Sequence, residues 1–282
     1  MLSISKIRTV AFSLLLCFTS CRLVDAPKAL PASKNEASNE IKTSFQEVLD
    51  SIGLVGSILL FNPEKNTYYS NDFLWASTGQ LPASTFKIPN SIIALETGLI
   101  VQLSDTLFWD GTERSIANWN QDLTFDKAFA YSCVPCYQHV ARSVGADTMR
   151  KYLNRLDYPG ISFRQNELDM FWLRGESRIN QFEQIAFLER LHESELPIST
   201  KTARIMRQIM VVDSTESYVL RGKTGWSQTE EGDNGWFVGF AERGNQILYF
   251  ATNVEPKEST PINSFIAGRR AITEAALEQV QW

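Results

Sequence analysis

Ser84 and Lys87 are the residues of this chain best suited to nucleophilic catalysis. A serine hydroxyl becomes a nucleophile only when a nearby base takes its proton. The two histidines, His139 and His192, fall in segments with ordinary helical periodicity, so the candidate base is the amine of Lys87. Residues three positions apart share one face of a helical turn. The spacing therefore predicts a serine activated by a lysine.

The amine of Lys87 can act as a base only if its pKa lies well below the reference value of about 10.4. Its apolar neighbours Phe86, Ile88 and Ile92 predict burial, which disfavours the charged ammonium form. We therefore expect a neutral amine at Lys87. Backbone N–H groups at the start of the helix that Ser84 opens could also stabilise a developing anion.

Two further motifs are expected to join this pair in a cleft. Residues 132–134 read Ser-Cys-Val in a predicted loop, and residues 223–225 read Lys-Thr-Gly on a predicted strand. A glycine on a strand allows the close approach of a substrate backbone. Each motif alone is a weak signal, whereas the three in this order and spacing are a strong one.

The three motifs resemble those of the active-site serine β-lactamases and penicillin-binding transpeptidases. Within that group the chain is similar to class D, the oxacillin-hydrolysing enzymes, from about residue 45 onward. The resemblance is carried by Ser-Thr-Phe-Lys-Ile-Pro-Asn at 84–90, Ser-Cys-Val at 132–134, Phe-Trp-Leu at 171–173 and Lys-Thr-Gly-Trp at 223–226. The chain departs from the class at 158–160, where Tyr-Pro-Gly replaces the usual Tyr-Gly-Asn.

The resemblance implies a catalytic set of Ser84, Lys87, Ser132 and Lys223. Ser84 would form the acyl-enzyme, and Ser132 would pass a proton to the leaving nitrogen. Lys87 would be carboxylated by CO₂ or bicarbonate, and the resulting N6-carboxylysine would be the general base in both half-reactions. No other cofactor and no metal are expected.

The resemblance also implies a set of residues that bind the substrate or the carbamate: Val134, Trp172, Thr224, Gly225, Trp226 and Arg269. The indole N–H of Trp172 would donate to the carbamate. The backbone N–H groups of Ser84 and Trp226 would form an oxyanion hole. Thr224 and Arg269 would bind the substrate carboxylate, with Arg270 as the alternative to Arg269.

The predicted function is hydrolysis of β-lactam antibiotics, which would confer resistance to them. Two alternatives remain open. A β-lactam sensor domain shares the class D motifs and stops at the acyl-enzyme; it is expected at the end of a longer protein with several membrane-spanning helices, whereas this chain has a single apolar signal. A penicillin-binding transpeptidase would usually carry Ser-x-Asn in place of Ser132-Cys133-Val134.

Composition agrees with a soluble globular domain that acts on a small molecule. Of 282 residues, 44% are hydrophobic and 21% charged, and the net charge is −5, with no basic run that would indicate a nucleic-acid partner. Residues 41–282 are predicted to form one catalytic domain. The sequence leaves open whether it is a monomer or a dimer.

The first 21 residues predict an export signal. Two basic residues precede an apolar stretch at 10–19 that is too short to span a bilayer. The stretch ends in Phe-Thr-Ser-Cys, which resembles the lipobox of bacterial lipoproteins, with Cys21 as the lipidated residue; ordinary cleavage after a small residue is the alternative. The protein is expected in the periplasm, tethered to the outer membrane through a flexible linker at 22–40.

Cys133 and Cys136 are the cysteines that remain after the signal. A metal site is disfavoured because there is no second cysteine pair and the histidines do not cluster. The sequence favours two small, buried free thiols. A disulfide formed in an oxidising compartment is the alternative.

The fold is predicted to be α/β, an antiparallel sheet built from both chain ends and flanked by helices, with an all-helical lobe inserted at about 84–205. Strand patterns occur at residues 53–76, 218–226, 235–241 and 246–254. Helical patterns occur at 123–130, 137–144, 147–156, 181–192, 200–211 and 261–280. Pro89 predicts a tight turn at 84–87, with the regular helix beginning near Lys87.

Overall fold

Strands from both ends of the chain pair in one sheet, as predicted. The computed structural model describes residues 38–230 and 232–280. Its strands are β1 Asn39–Lys42, β2 Leu54–Asn62, β3 Thr67–Ser70, β4 Thr106–Leu107, β5 Leu123–Thr124, β6 Val211–Ser214, β7 Val219–Thr229, β8 Gly232–Arg243 and β9 Gln246–Pro256. Among these residues, seven strands form a sheet in the order β1-β3-β2-β9-β8-β7-β6. Neighbours are antiparallel, except that β1 runs parallel to β3.

The sheet separates two apolar cores. The α-helices are α1 Phe45–Ile52, α2 Phe73–Ser77, α3 Lys87–Glu96, α4 Phe125–Ala130, α5 Val134–Val144, α6 Ala146–Arg155, α7 Gln181–His192, α8 Thr200–Ile209 and α9 Ile262–Gln279. Helices α1 and α9 pack on one face, and the helical lobe covers the other. Because both faces are covered, the central strands β2, β8 and β9 carry nearly continuous buried runs. No helix in the described part of the chain has the length and hydrophobicity needed to cross a membrane.

The predicted signal, with Cys21, and the predicted linker as far as residue 37 lie outside the described residues. The linker prediction extends two residues too far, because β1 begins at Asn39 and pairs with β3. All four residues of β1 are exposed. Because none of its side chains is buried, β1 shows no alternation of apolar and polar residues. No strand could therefore be predicted there from the sequence.

Two short helices differ from the predicted pattern. Residues 73–77 form α2, where the prediction continues a strand; the side chain of Asp72 caps this helix by accepting the N–H of Trp75 at 2.9 Å. A helix of five residues is too short to show a 3.6-residue period. Helix α1 has no counterpart in the prediction, although Phe45 and Leu49, four positions apart, are both buried.

The inserted lobe is mostly, but not entirely, helical. Strands β4 and β5 form an antiparallel pair within it, and the helix predicted at 123–130 begins instead at Phe125. The helix predicted at 200–211 ends at Ile209, after which the chain enters β6. Strands of two to four residues fall below the length at which periodicity can identify them.

Cys133 and Cys136 form a disulfide, so the preference for free thiols is wrong. Their Cα atoms lie 5.4 Å apart, within the range that a disulfide requires. Cys133 caps the N-terminus of α5 and Cys136 lies in its first turn. A spacing of three residues brings the two sulfurs together, but spacing alone does not distinguish the oxidised from the reduced pair.

The departure from class D at residues 158–160 is built around a glycine that this backbone requires. Gly160 has φ +71°, and a Cβ at this position would overlap the carbonyl oxygen of Arg178. The Arg178 N–H donates to the Gly160 carbonyl at 2.8 Å. Tyr158 is buried, with its ring edge-on to Phe86 at 6.0 Å and to Phe187 at 4.8 Å. This loop therefore packs directly against the turn that contains Ser84.

Gly160→Ala should destabilise the domain by more than about 2 kcal/mol, because it adds a backbone clash to the strain of a positive φ. Gly98→Ala is the matched control: Gly98 has φ +73°, but a Cβ there would have no atom within 4 Å, so only the strain of about 1 kcal/mol is expected. Urea unfolding of both variants measures the difference. Equal losses would contradict this description of the loop.

Candidate active site

Ser84 and Lys87 lie on one tight turn, as predicted. A 3₁₀ turn, Ala83–Phe86, leads directly into α3 at Lys87. Pro89 is the third residue of α3, a position where a missing N–H breaks no helical hydrogen bond. Lys87 Nζ lies 2.9 Å from Ser84 Oγ and donates to it. This is the distance at which an amine can also accept the serine proton.

Lys87 is almost completely buried, at 1% exposure. Burial, reinforced by the nearby charge of Lys223, holds the pKa of Lys87 well below its usual value. The Tyr137 ring lies beneath the amine, with 5.1 Å between Nζ and the ring centroid. The Tyr137 hydroxyl pairs with Ser91 Oγ at 2.7 Å. These surroundings therefore favour the neutral amine of Lys87 over its ammonium form, in the direction that the sequence predicts.

The Trp172 side chain presents a buried hydrogen-bond donor with no acceptor. Its indole Nε1 has no hydrogen-bond partner among the described residues. The ring stacks on Phe86 at 5.4 Å, and the Trp172 carbonyl accepts the Ala83 N–H at 2.7 Å. Trp172 is therefore held against the turn of Ser84 and Lys87. An unpaired buried N–H is costly, and a carbamate oxygen on Lys87 is an acceptor of the kind that would satisfy it.

Ser132 and Lys223 form a second serine–lysine pair. Lys223 Nζ donates to Ser132 Oγ at 3.0 Å and to the Thr224 carbonyl at 2.9 Å. Burial, with the charge of Arg269 as a second cause, lowers the pKa of Lys223 to about 7. Lys223 in turn acts electrostatically on Lys87, so the two pairs lie close to each other. The structure therefore brings together the four residues of the predicted catalytic set.

Both serines adjoin strained backbone. Ala83, immediately before Ser84, has φ +50°, and Ser132 itself has φ +53°. Non-glycine residues in this left-handed region cost roughly 1–3 kcal/mol each, and such residues cluster at functional sites. The surrounding contacts therefore hold both hydroxyls in orientations that the free chain would avoid.

Arg269 and Arg270 lie in different surroundings. The Arg269 guanidinium is buried against β7, where it donates to the Gly225 carbonyl, and burial lowers its pKa to about 10. Arg270 instead pairs with Asp213 at 2.9 Å and with Glu274 at 2.6 Å. Arg270 also lines a cavity with Lys223 and Thr224, so the assignment of the carboxylate-binding role to Arg269 stays a prediction.

Gly225 allows close packing within the protein itself, and not only the approach of a substrate. A Cβ on Gly225 would lie 3.1 Å from Trp236 Cβ, 3.2 Å from Thr85 Cγ2 and 3.3 Å from Ala83 Cβ. The glycine thus lets β7 approach the turn that contains Ser84. Next to it, the half-buried Trp226 donates from its indole N–H to Asp233 at 2.6 Å.

Val134 and Thr224 complete the predicted substrate-binding set. Val134 is the first residue of α5, two positions after Ser132, and Thr224 follows Lys223 on β7. Both are partly exposed. They therefore flank the second serine–lysine pair with side chains that a bound molecule can reach.

A polar network supports the turn, and the sequence did not identify its members. Asn234 Nδ2 and the Trp236 indole both donate to the Leu81 carbonyl, at 3.1 and 2.8 Å. Gln184 Nε2 donates to Thr85 Oγ1 at 2.9 Å. Polar residues at buried positions of β8 and α7 were the available signal, but their partners are more than ninety positions away.

Among the described residues, no group of three or more His, Cys, Asp and Glu side chains could hold a metal ion. His139 lies within α5 and His192 ends α7, in keeping with their predicted helical segments. His192 contacts Glu193, Glu242 and Tyr249, none of which belongs to the predicted site. The chemistry available here is that of two serines, two lysines and an arginine.

Comparison with known proteins gives consistent results. Residues 56–276 match the penicillin binding protein transpeptidase domain. The chain is 39% identical over 224 residues to β-lactamase OXA-48 of Klebsiella pneumoniae, covering 79% of this chain and 83% of that protein. It is 36% identical over 216 residues to β-lactamase OXA-10 of Pseudomonas aeruginosa, covering 76% of this chain and 81% of that protein.

Solved structures share the fold. The class D β-lactamase YbXI from Nostoc superposes with a TM-score of 0.78 at 38% identity, covering 83% of this chain and 97% of that one. The C-terminal domain of the Bacillus licheniformis BlaR penicillin-receptor also gives a TM-score of 0.78, at 25% identity, covering 86% of this chain and 97% of that one. Proteins described as an enzyme and as a receptor thus share this architecture.

Lys223→Met should stabilise the domain more at pH 6 than at pH 9. The unfolded chain binds the Lys223 proton up to its usual pKa near 10.5, whereas the folded protein releases it at about 7. The burial of Lys223 therefore lowers the free energy of unfolding of the wild type by its full amount below pH 7, and by less as the pH rises towards 10.5. The difference between variant and wild type should change by on the order of 2 kcal/mol between the two pH values.

Urea unfolding at both pH values measures this effect. Lys151→Met, on an exposed lysine of α6, controls for the change of side-chain type. Parallel stability curves for wild type and Lys223→Met would show that burial does not depress the pKa of Lys223.

Proposed function

The chain belongs to the class D β-lactamases, and we propose that it hydrolyses the amide bond of β-lactam antibiotics through an acyl-enzyme on Ser84. The observation that carries the proposal is the 2.9 Å contact between Ser84 Oγ and the buried, depressed-pKa amine of Lys87. Further support comes from the family match over residues 56–276 and from the named β-lactamases among the relatives.

In acylation, Ser84 Oγ attacks the lactam carbonyl as the base on Lys87 takes its proton. The backbone N–H groups of Ser84 and Trp226 stabilise the resulting oxyanion. The carbon–nitrogen bond then breaks, and Ser132 gives its proton to the leaving nitrogen. Lys223, 3.0 Å from Ser132 Oγ, is placed to replace that proton. Arg269 and Thr224 supply charge and a hydroxyl for the substrate carboxylate.

The base is proposed to be N6-carboxylysine at position 87. A neutral amine adds to CO₂ to form a nitrogen–carbon bond, and loss of one proton leaves a carbamate anion. The depressed pKa of Lys87 supports this step, because an ammonium cannot add to CO₂. The unpaired indole N–H of Trp172 supports it independently. Once the proton taken from Ser84 has passed to Lys223, which gave up its own to Ser132, the same carbamate would take a proton from the water that hydrolyses the acyl-enzyme. It would return that proton to Ser84 Oγ as the ester bond breaks.

A β-lactam receptor that stops at the acyl-enzyme is the second candidate, favoured by the similarity to the BlaR penicillin-receptor domain. Mixing the protein with excess chromogenic cephalosporin separates the two functions. The hydrolase should convert many equivalents of substrate. A single stoichiometric burst without turnover would overturn the proposed hydrolysis and favour a receptor. Continued turnover onto an acceptor amine in place of water would favour a transpeptidase.

Lys87→Ala should slow acylation and nearly abolish deacylation. Loss of a general base typically costs about 10²- to 10⁴-fold in rate, and the variant has no base for either step. Mass spectrometry after brief exposure to a penicillin should find an acyl-enzyme that persists, whereas the wild type returns to its free mass. Normal turnover by Lys87→Ala would refute the role of this lysine.

Trp172→Phe should increase the bicarbonate concentration required for half-maximal activity by about 10- to 100-fold, the usual worth of a hydrogen bond to a charged group. Stability should fall less than in the control described next, because both substitutions remove buried ring volume but the lost N–H of Trp172 has no partner. Trp236→Phe is the matched control: it removes an indole that donates to Leu81 at 2.8 Å, so stability should fall while the bicarbonate requirement stays constant. An unchanged requirement in Trp172→Phe would exclude the proposed contact.

A further inference from the structure

We infer that the Cys133–Cys136 disulfide is a positioning element for Ser132 and that it sustains the rate at which Ser84 is acylated. The inference rests on the proposed role of Ser132 as proton donor to the leaving nitrogen. Cys133 is the residue immediately after Ser132 and the middle residue of its motif. The disulfide is therefore attached, through the Cβ of Cys133, to the backbone that directly follows Ser132.

Ser132 needs support because its backbone is strained, with φ +53°. On its N-terminal side the support comes from α4: the Ser132 N–H donates to the Phe129 carbonyl at 3.0 Å, and the Cys133 N–H donates to the Ala128 carbonyl at 2.9 Å. These bonds fix where the chain leaves α4. They do not fix the direction in which it enters α5.

The disulfide fixes that second direction. It joins Cys133, the N-cap of α5, to Cys136 in the first turn, and the Cys136 N–H points at the Cys133 sulfur at 3.2 Å. Ser132 is thus held between α4 on one side and a covalently closed turn on the other. In this position its Oγ accepts from Lys223 Nζ at 3.0 Å.

The loop that the disulfide closes is small, which favours a local positioning role over stabilisation of the whole domain. The chain-entropy contribution of a disulfide to stability grows with the number of residues it encloses, and here the sequence separation is only three. The bridge therefore adds little restraint to the unfolded chain. Its main effect falls on the few residues around it, which include the second serine of the site.

The bridge is open to test because Cys136 is partly exposed, whereas Cys133 is buried. Dithiothreitol is expected to attack the bridge from the side of Cys136, and a gain of two thiols shows that the bridge has opened. The readout is the rate of covalent labelling of Ser84 by a fluorescent penicillin on the full chain. Labelling reports acylation whether or not the acyl-enzyme is later hydrolysed.

We expect reduction to slow labelling of the wild type by about ten-fold, as a misdirected proton donor would. Cys133→Ala/Cys136→Ala should label as slowly as the reduced wild type and should not respond to dithiothreitol. In Ser132→Ala, reduction should cost less than about two-fold, because residues that act through one another are not additive. Thermal unfolding confirms that each protein is folded.

Equal labelling rates of the oxidised and reduced wild type would overturn the inference. So would an equal loss on reduction in the wild type and in Ser132→Ala, since that pattern marks general destabilisation. Turnover of the chromogenic substrate is measured in parallel. Disulfide-dependent labelling without turnover would sink only the proposed hydrolysis, whereas turnover with labelling indifferent to reduction would sink only the positioning role.

Discussion

The exclusion of water from the amine of Lys87 is the constraint on which the rest of the site depends. An exposed lysine is an ammonium at neutral pH, which neither accepts a proton nor adds to CO₂. Lys87 is 1% exposed, and the second buried lysine, Lys223, adds repulsion that favours the neutral amine further. The same burial that makes the base available costs stability, because it disfavours the charged forms of both amines, which the unfolded chain keeps. Folding and catalysis therefore make opposite demands on these two residues.

The architecture meets this constraint by bringing several elements around one turn. Helix α5 contributes the Tyr137 ring beneath Lys87, and the Trp172 segment stacks on Phe86. Strand β7 packs against the turn through Gly225, where a side chain would crowd Trp236, Thr85 and Ala83. The sheet built from both chain ends holds β7 in place, while the inserted lobe supplies α5 and its disulfide. The site therefore forms between the sheet, which contributes β7, and the inserted lobe, which contributes α5. Neither part contains the site alone.

The sequence predicted what depends on local pattern and residue chemistry. The start of α3 at Lys87 followed from Pro89, α7 has its predicted bounds, and each predicted serine–lysine pair is in hydrogen-bond contact. Features that depend on distant partners were not predictable: the support of the Leu81 carbonyl by Asn234, the packing reason for Gly225, and the ion pair of Arg270 with Asp213. The spacing of the two cysteines also could not show whether they are oxidised or reduced. Strands of two residues are too short to show a periodic pattern.

Carbon-13 NMR of the protein in labelled bicarbonate measures the proposed capture of CO₂ by the buried amine of Lys87. The folded wild type should give a carbamate resonance that is absent from Lys87→Ala and disappears when acid protonates the amine. Absence of that resonance from the wild type at saturating bicarbonate, or its survival in Lys87→Ala, would show that Lys87 is not carboxylated.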